Sequence, residues 1–300
     1  MSIADRVDYG ANQNPAGVSN VLGARPGTSA MHGYEEPQHG DMTRVQFTFE
    51  TTHTALQKLI APPPLEVDRE APALCTIMAF TSPNFRGRDG RLAPYTGFSF
   101  WASVDHRGTK AQAGWEFVDG AGPAHDKTIP EMLIFSGQVY GMLKKFGDIR
   151  FYQNGLEVAG DLSSVEEGDE ILITVDRKNR RIASLGVRVA APVGRAVAQD
   201  EPTPRLGAVP VLAVREIPTV DYKGYVDRSI VSSDVNANKA QLPKKEFAAQ
   251  PLHLKFWPSE SESLDQLEVG EFIAASVVVA DSPHETISSM FVVERLPLTV

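Results

Sequence analysis

The chain has 300 residues, of which 42% are hydrophobic, and its 29 Lys and Arg against 38 Asp and Glu give a net charge of −9. This balance argues against a nucleic-acid binder, because phosphate contacts require clustered cations. The single cysteine excludes an internal disulfide framework, and no apolar run reaches the roughly 18 residues of a membrane span. With no secretory signal visible, the sequence predicts a soluble, cytoplasmic protein that binds neither nucleic acid nor a membrane.

Residues 1–42 differ in composition from the rest of the chain. They are rich in Gly, Asn, Pro, Ser and His and show no sustained apolar period, so they can bury little area against the entropy of ordering them. We interpret this segment as an N-terminal extended arm, either a loose tail or a strap that packs on another surface. Residues 43–300 are expected to form a single domain.

The first predicted elements precede residue 95. From about Thr43, Val45, Phe47 and Phe49 alternate with polar residues, which is typical of a half-buried strand. Thr54 is a candidate cap for a short helix after this strand. The pattern then predicts an end of this helix at the prolines of 62–64, a buried strand at 73–80 and a surface loop at 81–94.

The middle of the chain is predicted to contain a strand pair and a second helix. Aromatic residues alternate with polar ones over 95–118, with a turn near 105–108. Ser136 suits a helix N-cap and Gly147 suits the position after a helix end, so a helix is predicted from Ser136 to Phe146. The pair Asn154-Gly155 predicts a hairpin. Further strands are predicted within 170–191 and at 212–217, 253–257, 272–280 and 287–294.

This order of elements predicts a mainly β fold of the α+β class, with an antiparallel sheet curled into a barrel or sandwich. Nucleotide-binding glycine loops, histidine pairs at metal-binding spacing and a GxSxG nucleophile elbow are absent from the sequence. No cofactor and no metal are therefore expected.

The segment with the most specific chemistry is Gly137–Gly147, which contains Lys144 and Lys145. Two lysines at a helix end are most often solvated cations that face the helix dipole. Here Met142, Leu143 and Phe146 flank the pair, and neighbouring residues of a helix project in different directions, so one lysine could face an apolar pocket. Only a neutral amine attacks a carbonyl, and burial in general favours the neutral form of an amine.

On these residues the sequence resembles the acetoacetate decarboxylase superfamily. The Lys-Lys-apolar-Gly run is similar to the family's Schiff-base segment, which implies that Lys144 forms the Schiff base and that Lys145 has a supporting electrostatic role. The resemblance covers roughly residues 43–285. Its other similar segments are 49–68, Thr76–Ala79, Val214–Pro218, Leu254–Trp257 and 267–281.

The resemblance implies a closed, cone-like antiparallel β-barrel with few short helices, the lysine in its interior and assembly into a homo-oligomer. The family's substrate-binding arginine falls on Met42, two residues before Arg44. Its acidic positions fall near Thr76 and Gly97, and a further family glutamate corresponds to Gln138.

We therefore predict a Schiff-base-forming lyase that acts through Lys144 on a small or medium oxo acid or ketone, by decarboxylation or by aldol or dehydratase chemistry. Arg44, or an arginine among Arg86, Arg88 and Arg91, could hold a substrate carboxylate. The candidates for hydrogen bonding to the substrate are Thr76, Tyr95 and Gln138, although structural packing explains each of them equally well. The alternatives are a non-catalytic barrel that binds a small ligand and a structural or regulatory subunit of the same fold.

Overall fold

The computed structural model describes residues 40–85, 94–119, 143–158, 160–193, 210–221, 223–233, 242–260, 262–282 and 290–298. Its elements, in chain order, are β1 (Gly40–Glu50), α1 (His53–Leu59), β2 (Glu66–Val67), β3 (Leu74–Ser82), β4 (Tyr95–His106), β5 (Thr109–Asp119), β6 (Lys144–Gln153), β7 (Leu156–Val158), β8 (Glu170–Arg177), β9 (Arg180–Pro192), β10 (Leu212–Pro218), β11 (Tyr225–Ser233), β12 (Leu242–Phe256), a 3₁₀-helix (Leu264–Gln266), β13 (Phe272–Ser282) and β14 (Met290–Arg295).

Most strands belong to one 11-stranded sheet whose pairings lead back to the starting strand. Adjacent strands of this ring follow the order β1–β3–β4–β5–β6–β8–β9–β12–β13, and β13 pairs with β1 again. In addition, β2 pairs with β4 and β7 pairs with β6. All ladders described in this ring are antiparallel except β5–β6, which is parallel. The predicted mainly β fold is confirmed. The word barrel describes the ring only approximately, because a parallel pair and several register shifts interrupt its regular pattern.

The inward face of this ring forms the main hydrophobic core. The alternation predicted for β1 is present, since Val45, Phe47 and Phe49 are fully buried while Glu50 is exposed. Aromatic side chains pack edge to face in this core, as Trp115 and Phe117 of β5 do with ring centroids 4.9 Å apart. Burial of such large rings is the principal stabilising contribution of the fold.

Helix α1 closes over one part of this core. Thr52 caps it, not the predicted Thr54, because the Thr52 hydroxyl accepts a hydrogen bond from the Ala55 N–H at 3.1 Å. Leu56 is buried against the sheet, and the Trp115 indole N–H donates to the Leu59 carbonyl at 2.8 Å. That bond satisfies a carbonyl left open at the helix end.

The predicted second helix is wrong where the structure tests it. Residues 144–146 belong to β6, which pairs with β5 and β8. Lys144 therefore begins a strand and does not end a helix. The earlier part of that prediction, which includes Gln138, lies outside the described residues, as do residues 1–39 of the predicted arm and the three loop arginines at 86–91.

The turns and later strands agree better with the sequence. Arg107 and Gly108 form the predicted turn between β4 and β5, and Asn154 and Gly155 form the predicted hairpin, each with positive φ. A second, 3-stranded sheet has the order β10–β11–β14. In the part of the chain that the structure describes, no helix is long and apolar enough to cross a membrane.

Candidate active site

Strand β6 places the two lysines on opposite faces of the sheet. In the parallel ladder, Lys144 lies opposite Glu116 and Lys145 lies opposite Phe117. Phe117 belongs to the main core, so Lys145 points to the inner face of the ring. Because successive side chains of a strand alternate between faces, Lys144 shares the other face with Glu116.

The Lys144 ammonium is buried and held by two polar groups. Its side chain is only 7% exposed, and its Nζ donates a hydrogen bond to the Tyr95 hydroxyl at 2.6 Å. The same Nζ lies 3.5 Å from Oε1 of Glu116. Tyr95 in turn donates its hydroxyl proton to that same oxygen. An amine, a phenol and a carboxyl group are thus joined in one buried network.

The environment of Tyr95 keeps its hydroxyl protonated. Burial raises the pKa of Tyr95 well above its ordinary value, and the neighbouring Glu116 carboxylate raises it further. A phenol that stays neutral can accept from Lys144 and donate to Glu116 at the same time. Tyr95 therefore links the amine to the carboxyl group through its hydroxyl.

Apolar side chains surround this network and form a second, smaller core. Tyr95 packs with Met42, Phe80, Phe85 and Val118, and its ring meets Phe80 and Phe85 edge to face at 4.9 and 5.3 Å. These contacts remove the polar groups from water, and this strengthens the electrostatic interactions among them.

Gly97 creates the room that this arrangement needs. A Cβ placed on Gly97 would overlap with the Phe80 ring and would lie 3.1 Å from Cδ of Glu116. The ring and the carboxyl group thus occupy the volume that a side chain at position 97 would take.

Lys145 has a separate set of partners at the inner face. Its Nζ donates to Oε2 of Glu262 at 2.7 Å and lies 4.5 Å from the centre of the Trp115 ring. The buried Glu262 also pairs with Arg177 at 3.2 Å. The charge of Lys145 is therefore balanced by a carboxylate on the inner face of the sheet, opposite to the face that Lys144 occupies.

Two other predicted site residues, Arg44 and Thr76, lie on the same face of the sheet as Lys144. Arg44 is half-buried in β1 and pairs in register with Phe80, which places it on the face of the sheet that Lys144 occupies. Thr76 lies farther along that face, where its hydroxyl is hydrogen-bonded to that of Thr48 at 3.0 Å. The structure brings Tyr95 to Lys144, but it pairs Thr76 with Thr48.

Glu116 and Glu262 are the two site residues that the sequence reasoning missed. Glu116 lies between Trp115 and Phe117 in a strand that is buried on both faces. The available signal for Glu116 was a single carboxylate flanked by two aromatic residues in a predicted strand. Such a residue is expected to be buried, and a buried charge requires a partner. Glu262 had no comparable signal in its loop.

An open cleft of about 700 Å³ lies away from the lysine pair, beside the turn between β4 and β5. Several of its charged side chains pair with one another. Lys110 bonds to Asp68 at 2.7 Å and lies 3.0 Å from Asp105, and Arg107 pairs with Glu294 of β14. Among the described residues, no group of three or more His, Cys, Asp or Glu could hold a metal ion.

The Lys110 cluster predicts an acid-dependent stability. Hydrogen bonds from Lys110 lower the pKa of Asp68 and of Asp105, so both carboxylates stabilise the fold above their unfolded pKa near 3.9 and lose that effect as the pH falls through their folded values. In Lys110→Met, we expect the urea midpoint to fall less between pH 6 and about pH 3 than in the wild type. The exposed Lys223 offers the matched control, since Lys223→Met should retain the wild-type pH dependence. An unchanged acid dependence in Lys110→Met would contradict this prediction.

Comparison with known structures places this arrangement in a recognised fold. An acetoacetate decarboxylase from Legionella pneumophila has 16% sequence identity and a TM-score of 0.65, with 95% of this chain and 98% of that chain covered. The enduracididine biosynthesis enzyme MppR complexed with pyruvate has 18% identity and a TM-score of 0.59, with coverage of 92% and 95%. At this level of identity the likeness shows the fold.

The sequence comparisons agree with the structural ones. No functionally curated protein matches the chain. A family model described as acetoacetate decarboxylase (ADC) matches residues 22–289, which is most of the chain. The chain therefore belongs to the acetoacetate decarboxylase family.

Proposed function

We propose that the chain is a Schiff-base-forming lyase that acts through Lys144 on a small or medium oxo acid or ketone. The observation that supports this most directly is the placement of the Lys144 amine, which is buried among apolar side chains and bonded to Tyr95 at 2.6 Å. A catalytic amine needs such a site, with little water and with polar groups that can exchange its protons.

The chemistry follows from the iminium that such an amine forms. Once the substrate carbonyl is converted to an iminium, the electron pair of a neighbouring bond can move toward the positive nitrogen and give an enamine. Loss of CO₂, aldol cleavage or condensation, and dehydration all use this electron sink. A substrate carboxylate would be held by Arg44, the half-buried arginine on the same face, through the bidentate geometry that guanidinium groups favour.

The related structures support an oxo acid as the substrate class. MppR has been described in complex with pyruvate and with the condensation product of pyruvate and imidazole 4-carboxaldehyde. Pyruvate is therefore the first compound that we would test. We further propose that residues 43–300 act as one domain in a cytoplasmic homo-oligomer.

Reductive trapping tests the proposed function. Incubation with borohydride and a panel of oxo acids, aldehydes and ketones, including pyruvate and acetoacetate, should add the reduced substrate mass to the peptide that contains Lys144. The intact mass and the mapped peptide measure the adduct. If no compound in the panel adds mass at Lys144, the proposed chemistry is wrong.

The ion pair between Lys144 and Glu116 favours one alternative, a non-catalytic barrel that binds a small ligand, because a charged lysine can serve structure alone. Binding of an oxo acid that survives Lys144→Met, measured by calorimetry, would support this alternative. Loss of binding together with loss of the adduct would support the enzyme.

A further inference from the structure

Glu116 has a position that structural stability alone does not explain. Its side chain is 4% exposed and lies at the junction of β5 and β6, directly opposite Lys144. A buried ion pair contributes little compared with apolar residues of the same volume, since both charges must leave water. The next pair of this ladder joins Phe117 to Lys145, so pairing of these two strands does not require a carboxylate opposite a lysine.

The contacts of Glu116 converge on one oxygen. Its Oε1 accepts the hydroxyl proton of Tyr95 from β4 and lies 3.5 Å from Nζ of Lys144 in β6. Lys144 Nζ donates to Tyr95 at 2.6 Å, so a proton has both a direct route and a route through the hydroxyl between amine and carboxyl group. Arg44 of β1 also lies on this face of the sheet.

The local sequence makes this position possible. Only a residue without a side chain at position 97 leaves space for the Glu116 carboxyl group and the Phe80 ring together. The Glu116 carboxyl group of β5 thus occupies space that a side chain at position 97 of β4 would otherwise fill.

We propose that Glu116 is the acid–base catalyst of iminium formation at Lys144, with the Tyr95 hydroxyl as the hydrogen-bonded link between them. This inference rests on the proposed Schiff-base function and names the group that moves its protons. It gives Glu116 a role that a purely structural ion pair does not have.

The proton balance of the step is complete within these residues. The Glu116 carboxylate takes one proton from the Lys144 ammonium, and the neutral amine forms a bond to the carbonyl carbon while the C=O π electrons move to oxygen. One proton passes from that nitrogen to the oxygen and gives a neutral carbinolamine. The Glu116 carboxylic acid then protonates the hydroxyl group, which leaves as water, and the iminium and the carboxylate remain.

The test compares trapping rates in Glu116→Gln and the wild type over a range of pH, with pyruvate and borohydride as the probe. The amide keeps the shape but cannot accept the amine proton. We expect the rate of adduct formation at Lys144 to fall about 100-fold or more, the usual range for loss of an acid–base group, and the acidic limb of the pH profile to disappear. Circular dichroism and the thermal midpoint show whether the variant is folded.

Two further variants make the result decisive. Asp227→Asn removes a carboxylate that pairs with Arg215 at 2.7 Å in the separate 3-stranded sheet, and it should trap at the wild-type rate. Tyr95→Phe removes the hydroxyl that links the two groups but keeps the ring. It should slow adduct formation while retaining the acidic limb of the pH profile, and it provides a second test if Glu116→Gln does not fold. The proposal is overturned if the wild type gives an adduct and a folded Glu116→Gln variant forms it at a rate within about threefold of the wild type, with the same pH profile. It is also overturned if Glu116→Gln does not fold and Tyr95→Phe forms the adduct at the wild-type rate. If the wild type itself gives no adduct, the proposed function fails and this inference with it.

Discussion

Replacing Lys144 by methionine is expected to abolish both the trapped adduct and turnover, with a loss of at least about 1000-fold, because the variant lacks the amine that we propose forms the covalent intermediate. Methionine approximates the length of the lysine stem and suits the apolar surroundings, so the variant should fold. Intact mass after borohydride reduction and a steady-state assay with the best substrate of the panel measure the two effects.

Lys145→Met is the matched comparison, since it removes the neighbouring amine from the opposite face of β6. Its carboxylate partner Glu262 still has Arg177 at 3.2 Å, so this variant should also fold. We expect it to retain an adduct at Lys144, with any change confined to the rate. An adduct that persists in Lys144→Met and disappears in Lys145→Met would show that the reactive amine faces the inner side of the ring.

The second large effect is expected at Gly114, in the strand that contains Glu116. A Cβ at this position would overlap with the backbone carbonyl oxygen of Phe100 and would lie 3.1 Å from the Trp101 ring. A backbone atom cannot move aside by a change of rotamer, so Gly114→Ala must separate β4 from β5. We expect a loss of about 3 kcal/mol or more and a fall in the melting temperature on the order of 10 °C.

Gly147→Ala serves as the control for Gly114→Ala. At Gly147 the new methyl group would meet Cγ1 of Val175 at 3.2 Å and Cβ of Phe117 at 3.3 Å, contacts that a shift of a few tenths of an ångström relieves. Its cost is expected to be about 1 kcal/mol. Equal melting temperatures for the two variants, measured by calorimetry, would contradict the steric argument at Gly114.

Much of the fold could be predicted because the alternation of residues such as Val45, Phe47 and Phe49 reflects burial on one face of a strand. The turns were equally local, since Asn154 and Gly155 adopt the positive φ values that these residue types tolerate best. The closure of the ring was implied only by the family resemblance, because the pairing of β1 with β13 joins residues more than two hundred positions apart.

The segment around Lys144 was misassigned for a physical reason. Ser136 and Gly147 have the preferences of helix ends, and two lysines suit a helix C-terminus. Those preferences are weak compared with tertiary pairing, and the ladder to β5 extends the strand back to Lys144. The alternation of Gly147, Ile149 and Phe151 toward the core continues through Lys145, and this period indicates the strand.

The composition of the site could be predicted only in part. Tyr95 was a candidate on its own merits, and the structure places it against Lys144. Glu116 was not, because nothing local to the Trp115–Phe117 segment reveals that a parallel partner strand will bring an amine opposite it. Proximity between residues 28 positions apart in sequence is a property of the sheet register and cannot be derived from spacing.

Among the described residues, the β5–β6 ladder has the four pairs from Glu116–Lys144 to Asp119–Gly147, fewer than any other ladder of the ring. The other ladders of the ring each have six or more pairs. Local opening is easiest where the fewest hydrogen bonds must break, so the ring is expected to part first at this seam. Because the Lys144 amine and the Glu116 carboxyl group lie on its two sides, such an opening would disconnect the two groups of the proposed site while most of the sheet stays intact. Loss of activity would then precede loss of structure when the protein is heated.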